Sequence, residues 1–228
     1  MGTAAATARS FGAAAAPPLA DPADEGLGDL RFRALLGAEA WADLPPPIRR
    51  RFSKRLAGGA TAVYVGEVVD VRTIWAGRLL AQAARPIAEA LPLVWTAGTP
   101  SVVTVTEDVV TGGQIWTRLY AGRRGFPQVI HSSKRFAGPT GLEEHVGCGV
   151  GMTLRVAVEH GALVFRSERY FVCAGRRRLT LPRWAEPGRL AVTHQELGQG
   201  RFAFVLELEH PLAGWLLRQH AVFREERP

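Results

Sequence analysis

The sequence predicts an α+β domain: a curved antiparallel β-sheet or half-barrel of about eight to ten short strands, wrapped around one long helix and preceded by short N-terminal helices. Three observations support this. From residue 101 onward, turn signals recur at regular spacing between β-branched and aromatic runs. Within these runs apolar residues alternate, so that Phe202, Phe204, Leu206 and Leu208 share one face of "RFAFVLELEH". Ahead of them, Trp75, Leu79, Leu80, Ala83, Ile87 and Leu91 keep near-helical spacing across about Thr73 to Leu91.

The elements follow in chain order. Residues 1–27 are rich in Ala, Pro and Gly, a composition that buries no core, and are expected to form a disordered tail; residues 28–228 are expected to form one domain. Asp29 is a plausible helix cap, with Phe32, Leu35 and Leu36 at helical spacing behind it. Leu44-Pro45-Pro46-Pro47 breaks that helix, and a proline starts the next, "PIRRRFSKRL", with Ile48, Phe52 and Leu56 on one side. Gly58-Gly59 turns the chain into the strand "TAVYVGEVVDV". The long helix follows, with Pro86 as a kink and Pro92 as a stop. "SVVTVTEDVV" and "GQIWTRLYAG" flank Thr111-Gly112-Gly113 as a hairpin. Further strands are "FPQVIHSSKRF", "LEEHVG", "GMTLRVAVEH", "ALVFRSERYFV", "RLAVTHQELG", "RFAFVLELEH" and "PLAGWLLRQHAVF".

Composition excludes several classes. The formal charge of +7 invites a nucleic-acid reading. Yet of 28 basic residues only Lys54 and Lys134 are lysines, and Ala and Gly are abundant too, which is the mark of a compositional bias rather than of a basic face. No apolar run approaches the ~18–20 residues of a membrane-spanning helix. Cys148 and Cys173 form neither a CxxC pair nor a disulfide framework; two buried reduced thiols and a cytoplasmic location are expected.

The chain resembles the domain-of-unknown-function family 4166. The resemblance rests on "GEVVDV" with the helix ending "EALP", on "VTVTEDVVTGGQIWTRLYAG", "LEEHVG", "LTLPRWAEP" and "RFAFVLELEHPLAGWLLRQHAVF", and covers about residues 44–224. It implies no established reaction. In some bacteria such a domain follows a Rossmann-type oxidoreductase domain, which implies an oxidoreductase partner. The chain departs from the family pattern twice: Tyr120 stands where Trp-x-Arg-x-Phe ends in Phe, and Gln219-His220-Ala221 stands where a late Tyr-Gly-Trp is usual.

No catalytic or metal-ligating constellation stands out, and no cofactor is expected. "GCGVGM" lacks the GxGxxG spacing and precedes a strand, not a helix. None of the six histidines forms HxH, HxxxH or HExxH; His194 and Glu196 share a strand face, as solvent-facing residues also do. Arg118 interrupts an apolar strand. It either lies outward over Trp116, or points inward and needs an anionic partner, Glu144 or a ligand acid. The stretch "RRRLTLPRWAEP", with Arg183 and Trp184, reads as an ordered connection packing its apolar side across one mouth of the sheet, arginines outward. The candidate wall of a cavity is Trp116, Arg118, Tyr120, Glu144, Tyr170, Arg183, Trp184, Phe202 and Phe204.

The leading expectation is a non-catalytic domain binding an apolar or amphipathic, lipid-like acidic small molecule. The alternatives are an accessory domain serving an NAD(P)-dependent Rossmann-type oxidoreductase in trans, and a cryptic enzyme. Removing residues 1–27 should leave thermal unfolding unchanged within about 0.5 kcal/mol; a lower melting temperature in the truncated chain would contradict the tail assignment.

Overall fold

The computed structural model describes residues 28–87, 91–122, 126–175 and 177–226; the expected tail lies outside them. Strands dominate: β1 (Ala62–Thr73), β2 (Thr99–Asp108), β3 (Gly113–Tyr120), β4 (Gln128–Arg135), β5 (Glu143–Gly147), β6 (Val150–Glu159), β7 (Ala162–Ala174), β8 (Arg177–Thr180), β9 (Arg189–Gly198), β10 (Arg201–His210) and β11 (Gly214–Glu226). Every pairing is antiparallel, in the order β6-β5-β4-β3-β2-β1-β11-β10-β9-β7-β8. β6 also pairs with β7, from Val150 opposite Val172 to Glu159 opposite Ala162. That pairing closes ten strands into a barrel, and β8 lies outside the ring on β7 alone. The expected half-barrel is therefore a closed one, which leaves the ring without a free edge.

Alternation decides what faces the lumen. On β3, Gln114, Trp116 and Tyr120 are buried, and Arg118 lies between them on the same face. β10 presents Phe202, Phe204, Leu206 and Leu208 to the interior, as its sequence pattern requires.

Three short helices fill one end: α1 (Arg31–Leu36), α2 (Ala38–Ala42) and α3 (Pro46–Phe52). Pro46 and Pro47 occupy the first turn of α3, where missing N–H groups cost nothing. Phe32, Trp41, Ile48 and Phe52 are all buried. The Phe52 ring stacks on Trp116 at 6.3 Å and meets His194 edge-on at 5.1 Å, while Phe32 packs edge-on against Phe165 at 5.9 Å. Arg51 adds a bond from Nη1 to the Glu196 carboxylate at 2.7 Å.

The expected long helix is corrected. Helix α4 covers only Trp75–Ala83 and lies across the opposite end of the barrel, against β11. Pro86 explains the early stop, because its ring opposes the carbonyl four residues back and it lacks an N–H. Gly77 sets the helix down closely: a Cβ there would collide with the Leu216 carbonyl. The sheet thus wraps around α1–α3 and its own side chains rather than around α4.

Phe52→Ala should destabilise the fold by roughly 3–5 kcal/mol, since it empties the contact between the helical plug and the barrel. Chemical denaturation measures this, and a loss under ~1 kcal/mol would show that the plug is not part of the core.

Candidate functional site

The open end is shaped by a division along β7. Its residues Leu163 to Arg166 pair with β9, whereas Phe171 to Ala174 pair with β8. Between these stretches the wall parts, and the segment from Leu181 to Gly188 fills the seam. The Leu181 N–H donates to the Tyr170 carbonyl at 2.8 Å, and the Glu186 carboxylate accepts from Arg169 Nε at 3.0 Å. Gly188, at φ 125°, is needed because a Cβ would press on the Glu209 carbonyl.

An apolar pocket of about 270 Å³ opens beside this seam. Leu181, Ala185 and Pro187 line it from the seam, Ala84, Ile87 and Leu91 from the α4 end, and Val146, Met152, Tyr170 and Leu206 from the barrel. Deeper in the lumen lies a second cavity of about 50 Å³, bounded by Trp116, Tyr120, Lys134, Phe165 and Phe204. Arg118, Val192 and Leu206 belong to both walls, so Arg118 stands at the junction of the two spaces.

Arg118 does not stand alone there. Its Nη2 lies 3.4 Å from Glu144 Oε1, and Lys134 Nζ lies 3.0 Å from the same oxygen. Lys134 and Glu144 are buried, and the lysine also sits 5.0 Å from the centre of the Trp116 ring, a cation–π distance. Burial by itself would raise the Glu144 carboxyl. The charges of Lys134 and Arg118, with a hydrogen bond from Ser132, outweigh it and hold the group at about 2, below its ordinary 4.5. Burial draws the Lys134 ammonium below its ordinary value, and the Glu144 charge opposes that. Two cations therefore face one carboxylate in a dry site.

Tyr120 and Gln219 meet in this lumen. The Tyr120 hydroxyl donates to the Gln219 side-chain oxygen at 3.0 Å. The buried Gln219 amide nitrogen, at the wall of the inner cavity, finds no partner among the described residues.

A family model described as "Domain of unknown function (DUF4166)" matches residues 44–223, most of the chain. The chain belongs to this family. No curated protein matches it. The two cavities, the ion cluster and α3 of the plug fall inside the matched DUF4166 span, while α1 and α2 precede it.

The structure distributes the candidate residues over three places. Trp116, Arg118, Tyr120 and Phe204 bound the inner cavity; Arg118, Glu144 and Tyr170 bound the outer pocket. Phe202 is fully buried among Tyr64, His194 and Phe223 and bounds neither space. Arg183 and Trp184 sit on a single 3-10 turn outside the pocket wall, and Trp184 is 86% exposed. Lys134 is the residue that sequence reasoning missed. It had a signal: Ile130, Ser132 and Lys134 alternate on one face of β4, and Lys134 is one of two lysines in an arginine-rich chain.

Other expectations are corrected too. The arginine run is not simply a wet loop: residues 177–180 form β8, and the Arg178 guanidinium lies 3.6 Å over the Phe171 ring and 2.6 Å from Glu143. Cys148 is exposed rather than buried, and Cys173 is half-buried. His194 is buried, with Arg51 Nη1 3.2 Å from its Nε2, so a cation already stands between His194 and Glu196. Burial, and then the Arg51 charge, drives the His194 pKa well below 6.5. Among the described residues no group of three or more His, Cys, Asp or Glu is placed to hold a metal, and no helix is long and apolar enough to cross a membrane.

The Glu144 carboxyl, lowered in the folded state, contributes stability that is present above pH 4.5 and is lost as pH falls toward 2. Denaturation across that window should show a fall that is flattened in the Glu144→Gln/Lys134→Met double variant, relative to the parent. An unchanged slope in the double variant would remove Glu144 as its source.

Proposed function

We propose that this domain is a non-catalytic receptor for a small amphipathic molecule with an acidic head and an apolar body. The single observation behind this reading is Arg118, placed at the deep end of an apolar pocket and sharing Glu144 with Lys134. One carboxylate facing two cations leaves positive charge in a low-dielectric site, and a ligand acid group balances it. The Arg118–Glu144 contact is the longer of the two at 3.4 Å, so Arg118 is the cation more readily turned to a ligand. The body of such a ligand would lie along Val146, Met152, Leu190, Leu206 and Leu208 toward the open end. The pocket's volume is near the lower end of the roughly 300–1,000 Å³ usual for ligand sites, which favours a short-chain or compact body.

Arg118→Met separates this reading from a purely structural ion pair. Lys134 still pairs Glu144 in that variant, so thermal stability should stay close to the parent's. Affinity for a fluorescent fatty-acid probe should fall about tenfold or more, the worth of a charge-assisted contact. Unchanged probe affinity would overturn the acid-head assignment. A large loss of stability would show instead that Arg118 serves the fold.

A further inference from the structure

The two ends of the barrel differ in what they show to solvent. Among the described residues, four aromatic side chains are exposed: Trp75, Phe126, Trp184 and Trp215. All four lie at the open end. Trp75 starts α4, Phe126 lies between β3 and β4, Trp184 sits in the seam, and Trp215 stands at the start of β11. Leu79, one turn after Trp75, and Leu212, in the β10–β11 turn, are exposed there as well. At the plugged end the exposed large apolar residues are aliphatic: Leu30, Val109, Val110 and Leu197.

The open end is also basic. The open-end segments 74–87, 91–98, 121–122, 126–127, 148–149, 174–175, 177–189 and 211–213 carry Arg78, Arg85, Arg177, Arg178, Arg183 and Arg189. Their one carboxylate among the described residues, Glu186, is held by Arg169, and of their arginines Arg178 is paired with Glu143 from β5. Exposed rings and arginines thus come from separate segments at the end where the outer pocket opens. Indole rings favour the boundary between water and hydrocarbon, where an apolar body and a polar N–H are both satisfied, and phenyl and leucyl side chains bury their apolar surface just below it. Arginines beside them are attracted by anionic headgroups, each worth a further increment near the surface.

We propose that the open end of the barrel docks on an anionic phospholipid surface, with the rings entering the headgroup boundary and the pocket opening toward the bilayer. The lipid surface is preferred to a nucleic acid or a protein because the exposed rings and arginines share the end at which an apolar pocket opens, rather than lining a basic groove. That a ligand then passes between bilayer and pocket rests on the receptor reading above; the docking itself does not.

The test is vesicle flotation with the full chain, using phosphatidylcholine vesicles and vesicles with part of the lipid replaced by phosphatidylglycerol. The parent should float with the anionic vesicles, less so as salt is raised, and little with the neutral ones. Phe126→Ser/Trp184→Ser changes two side chains that are 97% and 86% exposed, so the melting temperature should be kept. Its vesicle binding should fall about tenfold or more, while probe binding in vesicle-free solution stays at the parent level. Arg118→Met should float like the parent, so failure of the pocket assignment and failure of the docking assignment give different patterns. A parent that ignores anionic vesicles, or a double variant that floats as the parent does, would overturn docking. So would a parent that binds a single-stranded oligonucleotide, or self-associates without lipid, through these same two side chains.

Discussion

β7 is the strand on which the rest of the structure depends, because it has three neighbours. One edge pairs with β6 along nearly its whole length and closes the barrel. The other edge is divided: β9 takes its first part and β8 its last. A closed ring of ten strands has no free backbone donors and acceptors in its wall, so an opening has to come from a place where pairing changes hands. Ser167 marks that place, its hydroxyl accepting the Leu190 N–H at 2.9 Å where a ladder bond would otherwise stand. The seam segment, the outer pocket and its apolar lining all follow from this single exchange of partners.

The buried charges have a different logic. Lys134, Glu144 and Arg118 come from β4, β5 and β3, three adjacent strands, so no long loop is needed to bring them together. Ser132, two residues before Lys134, supplies a further hydrogen bond to the carboxylate. Desolvating three ionised groups is costly, and well-packed apolar residues are often no worse for stability. Under the proposed receptor function, an ion cluster at the junction of two cavities serves selectivity toward a charged ligand more than the fold.

Much of the architecture was legible because alternation is local. Phe202 to Leu208 and Trp116 to Tyr120 reveal their common faces within one strand, and Gly-containing turns mark where each strand ends. What was not legible depends on distant pairing. Residues 177–180 carry no alternation, and they form a strand because the last part of β7 offers them an edge. The helical spacing at residues 75–91 was read as one long element, yet Pro86 ends the ladder and the barrel already has its filling from α1–α3. His194 and Glu196 looked like an exposed face because nothing nearby in sequence announces that α3 covers them. Lys134 sits in the polar run "HSSKR", which masks the alternation it shares with Ile130 and Ser132 on the inward face of β4.

The plug has a consequence for traffic. With α1–α3 filling one end, the barrel is a sleeve closed at that end, and the outer pocket opens at the other. Under the proposed receptor function, an acid-headed molecule would enter head first to reach Arg118, its tail trailing toward the door. A second molecule would not push the first out through the plugged side. Exchange would then be sequential, with the occupant backing out along the route by which it came, and the time spent inside would be governed by how readily the trailing end finds something apolar to enter at the threshold.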